Sequence, residues 1–251
     1  MRDFTYARFE TLLQFLINHE YCPVSLVDYF FHKDENKRQV IMRHDVDRHP
    51  TNALKIAKFE HSQNICSSYY FRYPSTYTPI IIKTIAGLGH EIGYHYEVLS
   101  KANGDVTLAF QLFREELAEF RKICEVKTCC AHGSPLSSFD NRTLFSSCQF
   151  SDFDLIGDAH LSVSPDIPYF SDTGRSWGMH GNMRDRLPMS DSMLDIQNTD
   201  DLERHLQNSD YPEIYLVVHP ERWNDPGVRW YLQYGQDILF NAGKRILRKT
   251  R

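Results

Sequence analysis

From Val40 to His132 the chain alternates short apolar runs with helix-patterned segments, and this alternation narrows the possible folds more than any other feature. Val40-Ile41-Met42 reads as a buried strand, Ser67 to Arg72 as a second, His90 to His95 as a third and Thr128 to His132 as a fourth. Between them, one helix follows Pro50 with Thr51 placed to cap it, and another spans Tyr77 to Leu88 with Pro79 in its first turn. A third, Asp105 to Cys124, carries Leu108, Leu112, Phe113, Leu117 and Phe120 on one face. Strand–helix–strand repeats of this size call for parallel βαβ units. No glycine-rich phosphate loop follows the first strand, which favours an α/β barrel over an open doubly wound sheet.

The flanks are simpler. Phe9, Leu12, Leu13 and Leu16 have helical spacing within residues 5–18. Leu155 to Gly157 and Tyr169 to Asp172 are weaker strand candidates, and 175–210 reads as an irregular polar excursion. Glu213 to His219 is the clearest buried strand of the C-terminal half, and a final helix runs roughly from Val228 to Leu247. With no internal repeat or linker, the 251 residues read as a single domain, its core about 38–225, with N- and C-terminal helices packed on it.

Composition excludes some partners. A net charge of −5 and a pI near 6.2 give no electrostatic reason to expect nucleic acid or an anionic membrane. No window approaches the ~18–20 apolar residues of a membrane span. The first residues lack an export-signal pattern, so the expected compartment is the cytoplasm. The six cysteines show no paired zinc-type spacing and are expected to be reduced thiols.

Chemistry gathers where strands end. Asp45 and Asp47 follow the first strand, spaced so that both face one side if the strand continues. Two carboxylates that close need a metal or cation between them, or a shared proton. His95 and Glu97 follow the third strand, His132 the fourth, Asp172 and Arg175 a later one, and His219 the last. In barrels the catalytic groups come from that rim. Arg43 either neutralises the acid pair or holds one member in place, and Arg43, Tyr94, Arg175 and Trp223 are the candidate substrate contacts. Trp223 would serve as a sugar platform unless it fills the core, and Arg175 would touch substrate unless it belongs to a tight turn. His90 and His44 read as structural imidazoles; His160, His180 and His205 carry no assignment.

Together, Asp45-Val46-Asp47, the segment Gly89-His90-Glu91-Ile92-Gly93-Tyr94-His95 and Leu216-Val217-Val218-His219 resemble the polysaccharide deacetylases of the NodB-homology class, carbohydrate esterase family 4. The resemblance covers roughly 40–225 and implies a distorted (β/α)7 barrel using a divalent metal, usually zinc, to hydrolyse N-acetyl groups of aminosugars. By position it implies Asp45 as general base, Asp47 and His95 as metal ligands, and His219 as general acid. The family's second metal histidine falls on Leu99 here, and its arginine-proline motif is replaced by His132-Gly133-Ser134-Pro135. His132 or Glu97 can complete the site, and imidazole is the better partner beside one carboxylate and one histidine. The expected substrate is an N-acylated sugar, nucleotide-linked, lipid-linked or small and soluble. A metal-independent amide hydrolase on the same barrel and a non-catalytic carbohydrate-binding barrel are the competing readings.

Overall fold

A computed structural model describes residues 2–34, 36–178 and 195–250, with side chains through position 243. His180 lies outside the described residues. The chain runs α1 (Tyr6–Asn18), β1 (Tyr21–Val24), α2 (Leu26–Phe31), β2 (Arg38–Val46), α3 (Pro50–Ser62), β3 (Ser68–Phe71), α4 (Pro79–Gly87) and β4 (Glu91–Tyr96). It continues through α5 (Val98–Lys101), α6 (Val106–Arg121), β5 (Thr128–Ala131), β6 (Gly157–Asp158), β7 (Tyr169–Ser171), α7 (Thr199–Gln207), β8 (Glu213–Val218) and α8 (Val228–Thr250). All named strand pairs are parallel, in the order β6-β5-β4-β3-β2-β8-β7, with β1 beside the first half of β2. The alternation calls for an α/β barrel and the family resemblance for its distorted seven-stranded form, which is what the chain adopts; among the described residues no pairing joins β6 to β7.

Side-chain alternation divides β2 between two cores. Val40, Met42 and Val46 join the large cluster under the helices, where Phe9, Phe113 and Phe120 also pack. Ile41 joins a smaller cluster with Tyr70, Cys130, Tyr215 and Val217, filling the opposite face. Arg43 and Asp45 continue that second face toward the strand's C-terminal end. Gly93 is required there: a Cβ would lie 2.1 Å from the Tyr70 ring, whose hydroxyl hydrogen-bonds the Thr128 hydroxyl at 2.8 Å. Gly89 supplies the turn before β4 with φ +92°.

Several sequence expectations change. The cap of α3 is not Thr51: Pro50 is the first helical residue, and His49 precedes it at φ 51°. Leu108 is largely exposed on α6, and Ala109 takes the buried position. The excursion 175–210 contains α7, capped by the Asn198 side chain accepting from the Asp201 amide. The short β1 and α2 carry too few residues for a periodic signal. The Glu91 carboxylate holds α2 in place, accepting from the Val27 amide at 3.0 Å and the Ser68 hydroxyl at 2.6 Å.

Candidate metal centre and acid–base site

A cleft of about 580 Å³ opens over the C-terminal ends of β2, β4, β5 and β8, and Asp45, Asp47, His95, His132 and His219 all line it. The two aspartates have separate partners. Arg43, two residues back on the same face of β2, grips Asp45 through two hydrogen bonds, Nε to Oδ1 at 2.7 Å and Nη2 to Oδ2 at 2.5 Å. Burial alone would raise the Asp45 carboxyl, but the charges of Arg43 and His95 outweigh it and hold it below the usual range. Asp47 lies just past the strand, in a turn closed by its amide to the Asp45 carbonyl at 3.1 Å.

Asp47 Oδ1 is 3.5 Å from His95 Nε2 and 3.5 Å from His132 Nε2. It is buried and has no hydrogen-bond partner among the described residues, although three candidate ligand atoms lie within 4.8 Å of one another. Zinc bonds of about 2.0–2.1 Å at tetrahedral angles separate ligand atoms by about 3.3–3.4 Å, so both distances from Asp47 match the spacing of ligands around one metal. The tautomers agree. His95 Nδ1 donates to the Cys130 carbonyl at 2.9 Å, leaving Nε2 free to ligate. His132 Nδ1 donates to Glu97 Oε2 at 2.9 Å, which fixes its Nε2 in the same way.

Glu97 is therefore the carboxylate that orients His132, and it has its own support: Arg72 Nη2 reaches its two oxygens at 2.9 and 2.8 Å. Of the two candidates to complete the trio, His132 is the one whose ring nitrogen stands 3.5 Å from Asp47 Oδ1 and groups with His95. Leu99 is buried in α5 and plays no part. Burial lowers the His132 imidazole despite the pull of Asp47, which keeps it in the neutral form a metal needs. Burial would raise Asp47, but His132 and His95 hold its carboxyl well below the ordinary carboxylate range. Glu97→Gln should keep the fold and weaken zinc affinity about 10–100-fold, measured by competition with a chromophoric chelator; unchanged affinity would show that Glu97 does not tune the site.

His219 is braced by a buried carboxylate. Its Nδ1 donates to Asp172 Oδ1 at 2.6 Å, and its backbone amide also points at that carboxylate. Asp172 further accepts from Arg222 Nη1 at 2.7 Å and Trp223 Nε1 at 2.8 Å. Burial and Arg222 press the His219 imidazole down; Asp172 and the more distant Asp45 outweigh them, and the net shift is upward.

Three of the four expected substrate contacts are relocated, and Arg43 keeps a place in the cleft. Tyr94 lies on the other face of β4 from His95, fully buried among Phe113 and Phe120, with its hydroxyl donating to Glu116 at 2.5 Å. Trp223 is also fully buried, against Phe4 and Phe9, and works through its indole N–H on Asp172. Arg175 is not among the residues lining the cleft and clamps α8, its Nε donating to Asp237 at 2.7 Å. Arg43 reaches the cleft, but its two strongest bonds hold Asp45.

The cleft also contains groups that sequence patterns left unassigned. His160 Nε2 stands 3.2 Å from Arg43 Nη1, on the far side of the guanidinium that grips Asp45. Glu221 lines the wall, its Oε2 buried without a hydrogen-bond partner among the described residues; burial and the Asp47 charge push its carboxyl up to about 7. Elsewhere, His90 and His44 are structural as expected: His90 bridges the Ser67 amide and the Ala57 carbonyl, and His44 contacts Glu60 at 2.7 Å.

Neither a family model nor a curated protein matches this sequence. Solved structures do, among them carbohydrate esterases of family 4 (CE4) and pseudoenzymes of that family. One is a mutant of a Bacillus anthracis CE4 family pseudoenzyme with restored enzymatic activity, at 12% identity and TM-score 0.46, covering 84% of this chain and 65% of that one. The peptidoglycan deacetylase PdaC from Bacillus subtilis matches at 12% identity and TM-score 0.46 over 87% of this chain and 95% of its own. A Streptococcus mutans CE4 esterase matches at 14% identity and TM-score 0.45 over 98% and 87%. The chain thus spans just under two thirds of the first of these neighbours.

Proposed function

We propose that this protein is a metal-dependent hydrolase that removes an N-acyl group from an aminosugar. The observation that carries the reading is the division of labour in one cleft: a carboxylate braced by arginine, a ligand trio and an imidazole braced by carboxylate. Asp47, His95 and His132 would hold the ion, most suitably zinc given one carboxylate and two imidazoles. When bound there, the metal supplies Lewis acidity that polarises an amide carbonyl. Asp45, kept ionised by Arg43, accepts the proton of the attacking water. His219, kept protonated longer than an ordinary imidazole, delivers a proton to the leaving amine. A binding module needs neither a braced base nor a braced acid. The sugar specificity rests on the resemblance of the strand-end motifs to carbohydrate esterases.

Acyl release from a panel of N-acetylated and N-formylated sugars, with zinc or cobalt added, tests the proposal. Asp45→Asn should keep its metal content and lose about 10²–10⁴ of the turnover. Metal-loaded wild-type protein that binds these sugars but releases no acyl group, with Asp45→Asn binding them equally, would instead support the binding barrel.

A further inference from the structure

The helix α8 is inside out. Its buried residues are polar: Gln233 and Asp237 face the body, where Asp237 accepts from Arg175 at 2.7 Å and Gln233 donates to Asp237 at 3.0 Å. The Asn241 side chain donates to the Gly174 carbonyl at 3.1 Å, and the Trp230 indole to the Asp3 carbonyl at 3.0 Å. Most of its aliphatic side chains face outward. Val228, Leu232 and Leu239 are 75%, 65% and 72% exposed at positions i, i+4 and i+11, with Tyr231 and Ile238 beside them. Scattered exposed leucines need no explanation, but a contiguous apolar stripe on a helix pinned through its polar side marks a contact surface.

Two observations indicate the occupant. The helix runs into the sequence Lys244-Arg245-Ile246-Leu247-Arg248-Lys249-Thr250-Arg251, which has five basic residues and no acidic one. The net charge of −5 that spoke against an anionic membrane is an average over the chain, and it hides this segment. A second copy packed α8 against α8 would bring no exposed counter-charge, since the helix's one acid, Asp237, is buried against Arg175, whereas an anionic bilayer would. In addition, the stripe continues to the mouth of the cleft, where Leu239 and Phe240 form part of the wall and Leu136 is exposed. No described helix is long and apolar enough to cross a membrane, so α8 would lie in the interface.

We infer that α8 is a membrane-surface anchor: its apolar stripe enters the headgroup region of an anionic bilayer, with the cleft mouth alongside. This does not depend on the deacylase reading. Such a placement would give the cleft access to material carried on the membrane.

Co-sedimentation with phosphatidylcholine vesicles, with and without phosphatidylglycerol, tests the inference on the full chain. Wild-type protein should pellet with the phosphatidylglycerol vesicles and be released by salt. Val228→Asp combined with Leu232→Asp, both outside the cleft, should weaken this binding at least about tenfold while leaving circular dichroism and metal content unchanged. Wild-type protein remaining in the supernatant with anionic vesicles would overturn the inference. So would a dimer in light scattering that the double variant dissociates, with no vesicle binding by either protein. Activity on a soluble sugar, read separately, distinguishes either failure from a failure of the proposed reaction.

Discussion

Replacing Asp47 with alanine should leave a folded protein that no longer retains a divalent metal through dialysis. Asp47 is the only carboxylate of the trio, and its Oδ1 lies 3.5 Å from both imidazole nitrogens. Without it, two neutral ligands remain, and they also lose the negative charge that helps raise His95. Losing a supporting residue behind a metal ligand costs about 10–100-fold in affinity, so losing the ligand itself should cost at least about 100-fold. The fold should survive because Asp47 lies at the open end of β2, and its Oδ1 has no hydrogen-bond partner to lose. Two measurements check this. Metal analysis should find about one equivalent in the wild type and almost none in the variant. Thermal unfolding should respond to zinc only in the wild type, where a hundredfold excess over the dissociation constant adds about 2.7 kcal/mol. Equal metal content in both proteins would remove Asp47 from the site.

The sequence made the strands and their chemical ends legible because both depend on local pattern. Apolar runs located the strands, and ionisable residues at or just past the ends of β2, β4, β5 and β8 placed Asp45, Asp47, His95, His132 and His219 around one cleft. What it did not separate was the function of each neighbour. The i, i+2 aspartates looked like one problem of like charge, whereas the chain solves it twice, with Arg43 for Asp45 and two imidazoles for Asp47. Period-2 alternation already placed Tyr94 on the face opposite His95, so that misassignment was avoidable. Trp223, Arg175 and Asp172 were not readable in this way, because their partners are long-range: Asp172 lies 47 residues from His219 and 50 from Arg222. Glu97 and His132, 35 residues apart, likewise had no local signal telling ligand from support.

Asp172→Asn should be the most damaging single change away from the metal. The carboxylate accepts from the His219 ring and backbone, the Arg222 guanidinium and the Trp223 indole, all in a buried setting. Asparagine keeps the shape but leaves the buried Arg222 charge without its counter-charge, which should cost about 3 kcal/mol of stability. The pH dependence of that loss has a definite sign. The Asp172 carboxyl sits below its ordinary value, because Arg222 and His219 outweigh the effect of burial. Its stabilisation is therefore present above the unfolded value of about 3.9 and disappears as pH falls through the folded one, so the variant should lose less stability on acidification than the wild type. Catalysis should move independently of stability. Asp172 is the main group raising His219, against burial and Arg222. With a neutral amide in its place, His219 should release its proton at lower pH. The alkaline limb of the pH–rate profile should then shift toward acid, with turnover down about 10²–10⁴. A merely structural Asp172 would lower the amount of folded enzyme and leave that limb where it was; such a profile, measured on protein verified as folded, would show that His219 does not act as the acid through this carboxylate.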